Sequence, residues 1–479
     1  MRQRLRRGLG PRPQAGHRRR PPVDPAVDQV AGQLRPDARR HLGHGIAGTE
    51  HGETLDGRNG RHREPPCQHR DRTHAHGAEA RRPGPCATRG APPTAHGTIT
   101  PPTHTAPPDA ALLPLPRTST DQASGLMTPP RRIWHATAPI RIADIGGWTD
   151  TWFARHGRVL NLAVQPGVEV EIAVFDRTPG MPQVRVVAAN YGFSYHLDSL
   201  DGPRHDKLPL IEAAIRRMGI PDADAIELDI HSEIPPGAST GTSAALSVAI
   251  VAALSAMSGR CATPYQAARL AHAIEVEDLG LQSGVQDQLC SAYGGMNLIE
   301  IHAFPHAAVS PIRPDAATQA ELQRRLALFY IGKPHYSSRV HREVIDALGA
   351  DAHRDPRLDR LRTLAEAGCA ALLDGNWPLL GRIWDDNTQV QRELHPMLVS
   401  IAFERVIRIA REYGAEGCKV NGAGGDGGSV TVLCNHRAEG RRAMIAAMAA
   451  EGFTHVPIRL APEGLQVWSS SGAGSPARP

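Results

Sequence analysis

The chain has 479 residues, a formal net charge of +5 and a sequence pI near 8.9, a length that accommodates two to four domains. Residues 1–126 hold 20 Arg, no Lys, 18 of the 41 Pro and 10 of the 24 His, whereas all 20 aromatic residues lie from Trp134 onward. Such a segment cannot bury enough apolar surface to offset the entropy of ordering it, which excludes a folded domain over 1–126 and marks a disordered tail; its charge of +9 leaves −4 for residues 127–479, so the rest offers no case for nucleic-acid binding.

Patterned sequence starts after Thr128-Pro129-Pro130, and Met127 is a candidate for the biological start. Apolar alternation predicts strands over 133–142, 168–175, 184–191 and 225–234. Helices are expected over 243–257 and 263–278, with a shorter, small-residue one over 286–293. A polar connection at 312–322, carrying Pro and Asp, is the expected boundary between a first domain, 131–312, and a second, 322–468. The second is expected to open with a strand at 326–331 and to run through helices at 337–348, 357–374, 377–393 and 399–413. A strand at 429–434, a helix at 437–451 and a strand near 456–460 follow, and 469–479 reads as a disordered tail. Strands first and helices after indicate an α+β fold, and the helix–strand units of the second half resemble a ferredoxin-like arrangement.

The longest apolar run, Ala244 to Met257, is interrupted by Ser and falls short of the roughly 20 residues a bilayer requires. The charged N-terminus has no hydrophobic stretch after it that would make a signal peptide. The expectation is a cytoplasmic protein with no membrane partner, monomer and dimer both being open. Five cysteines after residue 126, with no CxxC pair, argue against a disulfide framework and a zinc site.

Three glycine-bearing stretches carry the chemistry. In the first, a loop of Pro236, Gly237, Ala238, Ser239, Thr240, Gly241, Thr242 and Ser243 runs into the Ala-rich helix, so loop amides and the helix's positive end converge as they do where phosphate binds. No Lys follows the glycines, which excludes a Walker A loop. In the second, five glycines fall within Gly422–Gly428, directly before a strand. The third, APIRIADIGGWTDTWF, places Arg141, Asp144 and Asp150 around a Gly-Gly turn.

Together, in this order, the three stretches resemble the signature set of the GHMP kinases over residues 131–468. GGWTDT, HGRVLNLAV and GVQDQLCSAYGG are most similar to the branch acting on fucose and on D-glycero-D-manno-heptose 7-phosphate. The resemblance implies a two-domain fold, with an N-terminal domain like domain 2 of ribosomal protein S5 and a ferredoxin-like C-terminal domain. It implies an ATP-dependent sugar kinase using Mg²⁺, with a small-molecule sugar, phosphorylated at its anomeric hydroxyl, as partner. A nucleotide- or sugar-binding regulator without turnover is the alternative. Residue by residue, the resemblance makes Asp287 the acceptor of the sugar hydroxyl proton and Arg141 its charge partner. It puts residues 236–243 on the ATP phosphates, and Ser243 with Glu275, or else Glu277, on the metal. Asp150, Trp148 or Trp152, Lys333, Arg339, Gly424 and Gly425 would face the substrate, while His335 and His341 would be helix-end or surface residues. Two departures stand out: Ser239-Thr240-Gly241-Thr242-Ser243 replaces the usual Gly-Leu-Gly-Ser-Ser, and Asp426 sits where glycine is common.

Overall fold

The computed structural model describes residues 129–188, 193–201, 208–332, 337–349 and 351–472. All of them lie in one compact unit, residues 114–479. The expected tail over 1–126 lies outside the described residues.

The sheet that carries the site grows from one long hairpin, β1 (Arg132–Ile145) paired antiparallel with β2 (Gly157–Asp176). On β2 also pair β5 (Asp224–Ser232), β6 (Met296–Ala303) and β12 (Arg459–Leu460). The parallel strand β3 (Val184–Ala188) extends the sheet from β5, β4 (Phe193–Leu197) pairs β3, and β7 (His306–Ile312) pairs β6. The last strand among the described residues, β13 (Gln466–Ser471), closes the outer edge of β1.

The second half of β2 alternates buried and half-buried residues, as a strand with one covered face does, but Val159–Val164 is buried almost throughout. The helix Pro356–Leu373 explains the change. It packs across this half of β2, against which the helix Thr242–Met257 also lies, close enough that a Cβ on Gly368 would lie 3.0 Å from Leu160. A strand covered on both faces loses its alternation, which is why the pattern showed only 168–175.

The helix Thr242–Met257 is apolar all round and correspondingly buried. It lies against β1 and β2 and is flanked by the helices Pro209–Met218, Pro264–Ala273 and Gln286–Tyr293. A capping box formed by Thr263 and Gln266 starts Pro264–Ala273, which passes at Ile274–Asp278 into a π-helical turn instead of running on to 278 as one α-helix.

The second sheet orders β11 (Thr454–Val456), β8 (Leu326–Tyr330), β10 (Ser429–Leu433) and β9 (Gly417–Val420), all antiparallel. Its core joins Phe329, Val430 and Val432 to Phe403 and Val406 of the helix Ile401–Glu412 and to Met444 and Met448 of the helix Ala438–Ala450. Numbered within the βαββαβ unit, the order is 4-1-3-2, the ferredoxin-like arrangement expected. The helices Ser337–Leu348, Pro356–Leu373 and Trp377–Leu394 are inserted after β8.

Two expectations are corrected, and one helix adds to those expected. The polar connection at 312–322 contains most of a helix, Ala316–Arg325, whose N-cap Asp315 accepts from Thr318 N at 2.7 Å. It reads as a loop because only Leu322 and Arg325 are buried on it. Residues 469–471, assigned to a disordered tail, belong to β13, where pairing with β1 overrides a Ser-rich composition. The helix Pro209–Met218 was not anticipated at all.

Candidate active site

A cavity of about 530 Å³ opens between the loop 236–241, the first turn of Thr242–Met257, the end of β1, the π-helical turn and the start of Gln286–Tyr293. All eight residues from Pro236 to Ser243 line it. Gly241 has φ +72 and is the N-cap, with no side chain capping the helix amides. A Cβ there would also lie 3.1 Å from Asp287 Oδ2, so both the positive φ and the close approach favour glycine. Ser239, where the resembling family has glycine, holds φ +56, and Ser429 Oγ donates to the neighbouring Ala238 carbonyl at 2.6 Å.

Arg141 organises this wall. It leaves β1 almost fully buried and forks onto Asp287, with Nε to Oδ1 at 2.7 Å and Nη2 to Oδ2 at 3.0 Å. Its Nη1 donates to the Ser239 carbonyl, and its backbone N–H donates to the Thr240 carbonyl at 2.9 Å. Burial works against the guanidinium, but the carboxylates of Asp287 and Asp144 outweigh it and raise the Arg141 pKa above its ordinary value. Asp287 sits in the first turn of Gln286–Tyr293.

Two further carboxylates face the same space. Asp150 is 3% exposed and accepts from Gln286 N at 3.2 Å. Burial and the nearby Asp287 push it up to about 6. Glycine at 284 is obligatory beside it, because a Cβ there would fall 2.0 Å from Asp150 Oδ2. Glu275, carried inward by the π-helical turn, accepts from Ser283 Oγ at 2.5 Å and Gln288 Nε2 at 3.0 Å. Burial nevertheless pushes it up to about 7, with Asp287 adding to the effect.

The structure therefore brings Arg141, Asp150, residues 236–243, Glu275 and Asp287 to one cavity, with Trp148 in its wall. Glu277, the alternative to Glu275, is turned away and pairs with Arg217 at 2.8 Å. Trp152 is half exposed and bonds to Gln282, leaving Trp148, 4% exposed, as the tryptophan of the cavity. Gly424 and Gly425 are not in the lining: they pack on the Leu398 backbone, Gly425 N donating to its carbonyl at 3.1 Å. Gly422 takes their place at the cavity. Asp426 is exposed and outside the lining. Arg339 falls on the helix Ser337–Leu348, whereas Lys333 and His335 lie outside the described residues.

Two residues escaped the sequence reading. His341, expected at a helix end or on the surface, is in the cavity wall, its ring edge-on to Trp148. Lys419, fully buried on β9, pairs with Asp144 at 3.3 Å, and Asp144 in turn accepts from Gly422 N. The available signal for Lys419 was its place between apolar residues just before the glycine-rich stretch.

The chain is similar in sequence and in fold to known kinases. Residues 209–295, which include the loop 236–241 and Asp287, match the GHMP kinases N-terminal domain. The bifunctional fucokinase/GDP-fucose pyrophosphorylase of Arabidopsis thaliana is 27% identical over 310 residues, covering 61% of this chain and 29% of the relative. The D-glycero-alpha-D-manno-heptose 7-phosphate kinase of Campylobacter jejuni is 25% identical over 203 residues, 42% of this chain and 60% of the relative. The chain thus spans less than two thirds of either relative. The structure of a D-glycero-D-manno-heptose 1-phosphate kinase from Bacteroides thetaiotaomicron superposes with a TM-score of 0.56 at 20% identity, covering 70% of this chain and 98% of that one. Lactococcus lactis galactokinase, solved with galactose, gives 0.55 at 16%, covering 70% and 95%. The fold is the two-sheet α+β fold of these kinases. These likenesses point to the GHMP kinase superfamily. Among the described residues, no helix is long and apolar enough to cross a membrane.

Proposed function

We propose that the chain is an ATP-dependent kinase transferring the γ-phosphoryl group to the anomeric hydroxyl of a sugar, either a heptose 7-phosphate or a 6-deoxyhexose such as fucose. The forked Arg141–Asp287 pair, held against the phosphate loop at Gly241, carries this reading. Phosphoryl transfer asks a protein mainly to position the nucleophile and neutralise spreading charge. Asp287 takes the proton of the acceptor hydroxyl, whose oxygen bonds to the γ-phosphorus as the bridge to ADP breaks. Arg141 keeps that carboxylate in place, and the uncapped amides at the start of Thr242–Met257 receive the phosphates.

The donor set suits Mg²⁺: the buried Glu275 carboxylate and the Ser243 hydroxyl share the cavity, and its other ligands would be phosphate oxygens and water. When bound, the ion supplies positive charge to the phosphate oxygens. The sugar acceptor rests on the buried Asp150, whose lone pairs vicinal hydroxyls satisfy, and on the activities named for the two relatives above.

The test is ADP release across a panel of sugars and sugar phosphates, followed by phosphorus NMR of the product. An anomeric phosphate couples to the C1 proton and is labile in mild acid. An acid-stable phosphate on a primary carbon overturns the anomeric assignment, and the absence of ADP release with every acceptor overturns the kinase reading.

A further inference from the structure

The loop 236–241 holds one residue in a conformation that its type does not favour. Ser239 has φ +56, in the left-handed region that glycine adopts freely and where a Cβ crowds the following carbonyl. A short polar side chain can relieve this by bonding to nearby backbone, but Ser239 Oγ is buried without a hydrogen-bond partner. Support has to come from outside the residue. It comes on both sides: Arg141 Nη1 donates to the Ser239 carbonyl, and Ser429 Oγ, at the start of β10, donates to the Ala238 carbonyl at 2.6 Å. The second bond holds the peptide unit that precedes Ser239 and so bears directly on its φ.

A buried chain of side chains dictates the direction of that second bond. The Ala143 N–H can only donate, so Asn421 Oδ1 is its acceptor at 3.0 Å, and Thr431 Oγ1 donates to the same oxygen at 2.9 Å. Asn421 must then present Nδ2 to Ser429 Oγ, 3.0 Å away, which leaves the one Ser429 hydrogen for Ala238. Asn421, Ser429 and Thr431 are all fully buried. The glycine-rich stretch supplies the room: a Cβ on Gly428 would fall 2.6 Å from Ser239 Oγ. We propose that Ser429, oriented by Asn421, is a positioning residue for the kinase reaction, holding Ser239 left-handed and thereby keeping the loop amides aimed at the nucleotide phosphates. The inference rests on the kinase reading for the identity of the ligand. It goes beyond that reading in assigning the shape of the loop to a side chain of the second sheet that lies outside the cavity lining.

Two measurements test it. In the first, calorimetry gives the Kd of ADP–Mg²⁺ for the wild type, Ser429→Ala, Ser239→Gly and the double variant. Without the Ser429 hydroxyl, Ser239 leaves the left-handed region in part of the molecules, and binding weakens by the fraction that keeps the competent shape. Loss of one neutral hydrogen bond should raise Kd about tenfold where residue 239 is serine. Where it is glycine the conformation costs little, and the same change should raise Kd about threefold or less. An unchanged Kd in Ser429→Ala, or an equal rise in both backgrounds, overturns the inference. The second measurement needs no nucleotide: crystal structures of the ligand-free wild type and Ser429→Ala report φ at residue 239. A positive φ in the wild type, lost or split between two conformers in the variant, is expected. A variant that keeps the single positive-φ loop overturns the inference, as does a wild type without it. Ser429→Cys, of similar size with a weaker donor, takes the place of Ser429→Ala in both measurements if the latter does not fold. A wild type that binds no ADP–Mg²⁺ counts against the kinase reading, and the two crystal structures still decide the role of Ser429.

Discussion

The guanidinium of Arg141 has partners at all three nitrogens, two on Asp287 and one on the Ser239 carbonyl, so the pair is positioned before any ligand arrives. Asp287→Asn keeps the shape and removes the proposed proton acceptor. Turnover should fall by about 10²-fold or more while ADP affinity stays near that of the wild type, and single-turnover kinetics with ADP titration check both. Near wild-type turnover would reduce Asp287 to a helix-start residue. Asp150 makes a separate prediction. Its pKa is about 6 in the fold, against 3.8 when unperturbed, so the fold favours the protonated form. The penalty is absent below about pH 4 and grows as the pH rises through 6. Asp150→Asn can still accept from Gln286 N but carries no charge. Its stability advantage in urea unfolding should widen between pH 4 and pH 6.5 to on the order of 3 kcal/mol and then level off; an advantage independent of pH contradicts this. Arg141 and Asp150 were singled out by the charged residues around the Gly-Gly turn, whereas Glu275 and Asp287 came only from the resemblance to the GHMP kinases. His341 was not legible, because only tertiary packing brings the start of its helix to Trp148.

At the scale of elements, the end of β1 must leave the sheet and aim Arg141, Trp148 and Asp150 at one space, through non-glycine positive φ values at Ala143 and Trp148. The second sheet and its inserted helices hold it there. Asn421 Oδ1 accepts from Ala143 N at 3.0 Å, Asn387 Oδ1 accepts from Gly146 N at 2.8 Å, and Asp144 joins Lys419 to Gly422. Burial opposes both charges of the pair. Asp144 is nonetheless held below the ordinary carboxylate range by Lys419, Arg141 and the Gly422 amide, whereas Lys419 is lowered by its own desolvation. A buried pair is costly to break from one side, since the other charge stays behind. Lys419→Met should therefore destabilise the protein by about 3–5 kcal/mol, and adding Asp144→Asn should recover part of that loss, a non-additivity read by denaturant unfolding of the two single variants and the double. Additive losses would show that the two side chains act independently. The glycine-rich stretch itself was legible as a close-approach segment, but its role was not. Of the glycines expected at the substrate, Gly424 and Gly425 are occupied with Leu398, and what reaches the cavity is Gly422.

The described fold is closed by its first and last strands. Strand β1 begins the described fold and β13 ends it, paired from Arg132↔Ser471 to Thr137↔Gln466. Trp468 stacks on His135 with centroids 5.2 Å apart, and Ser470 Oγ lies 3.0 Å from His135 Nε2. This closure was invisible in the sequence because a Ser-rich strand at an edge buries little: its residues are half-buried or exposed, so neither apolar content nor clean alternation marked it. Removing it would leave the outer edge of β1 with unpaired backbone groups, a template for pairing with another copy. Just before it, Gly295 N donates to Ala461 O at 2.7 Å and Leu465 N to Ala292 O at 3.2 Å, anchoring the returning chain next to the helix that carries Asp287. A chain ending at Leu465 should keep those anchors and lose the strand. Its melting temperature should fall by about 5 °C or more, and it should associate in a concentration-dependent way on size-exclusion chromatography, while a chain ending at Gly472 behaves as the full-length protein. If the Leu465 truncation melts with the full-length chain and elutes with it at all concentrations, β13 contributes neither stability nor edge protection, and the sheet is complete without it.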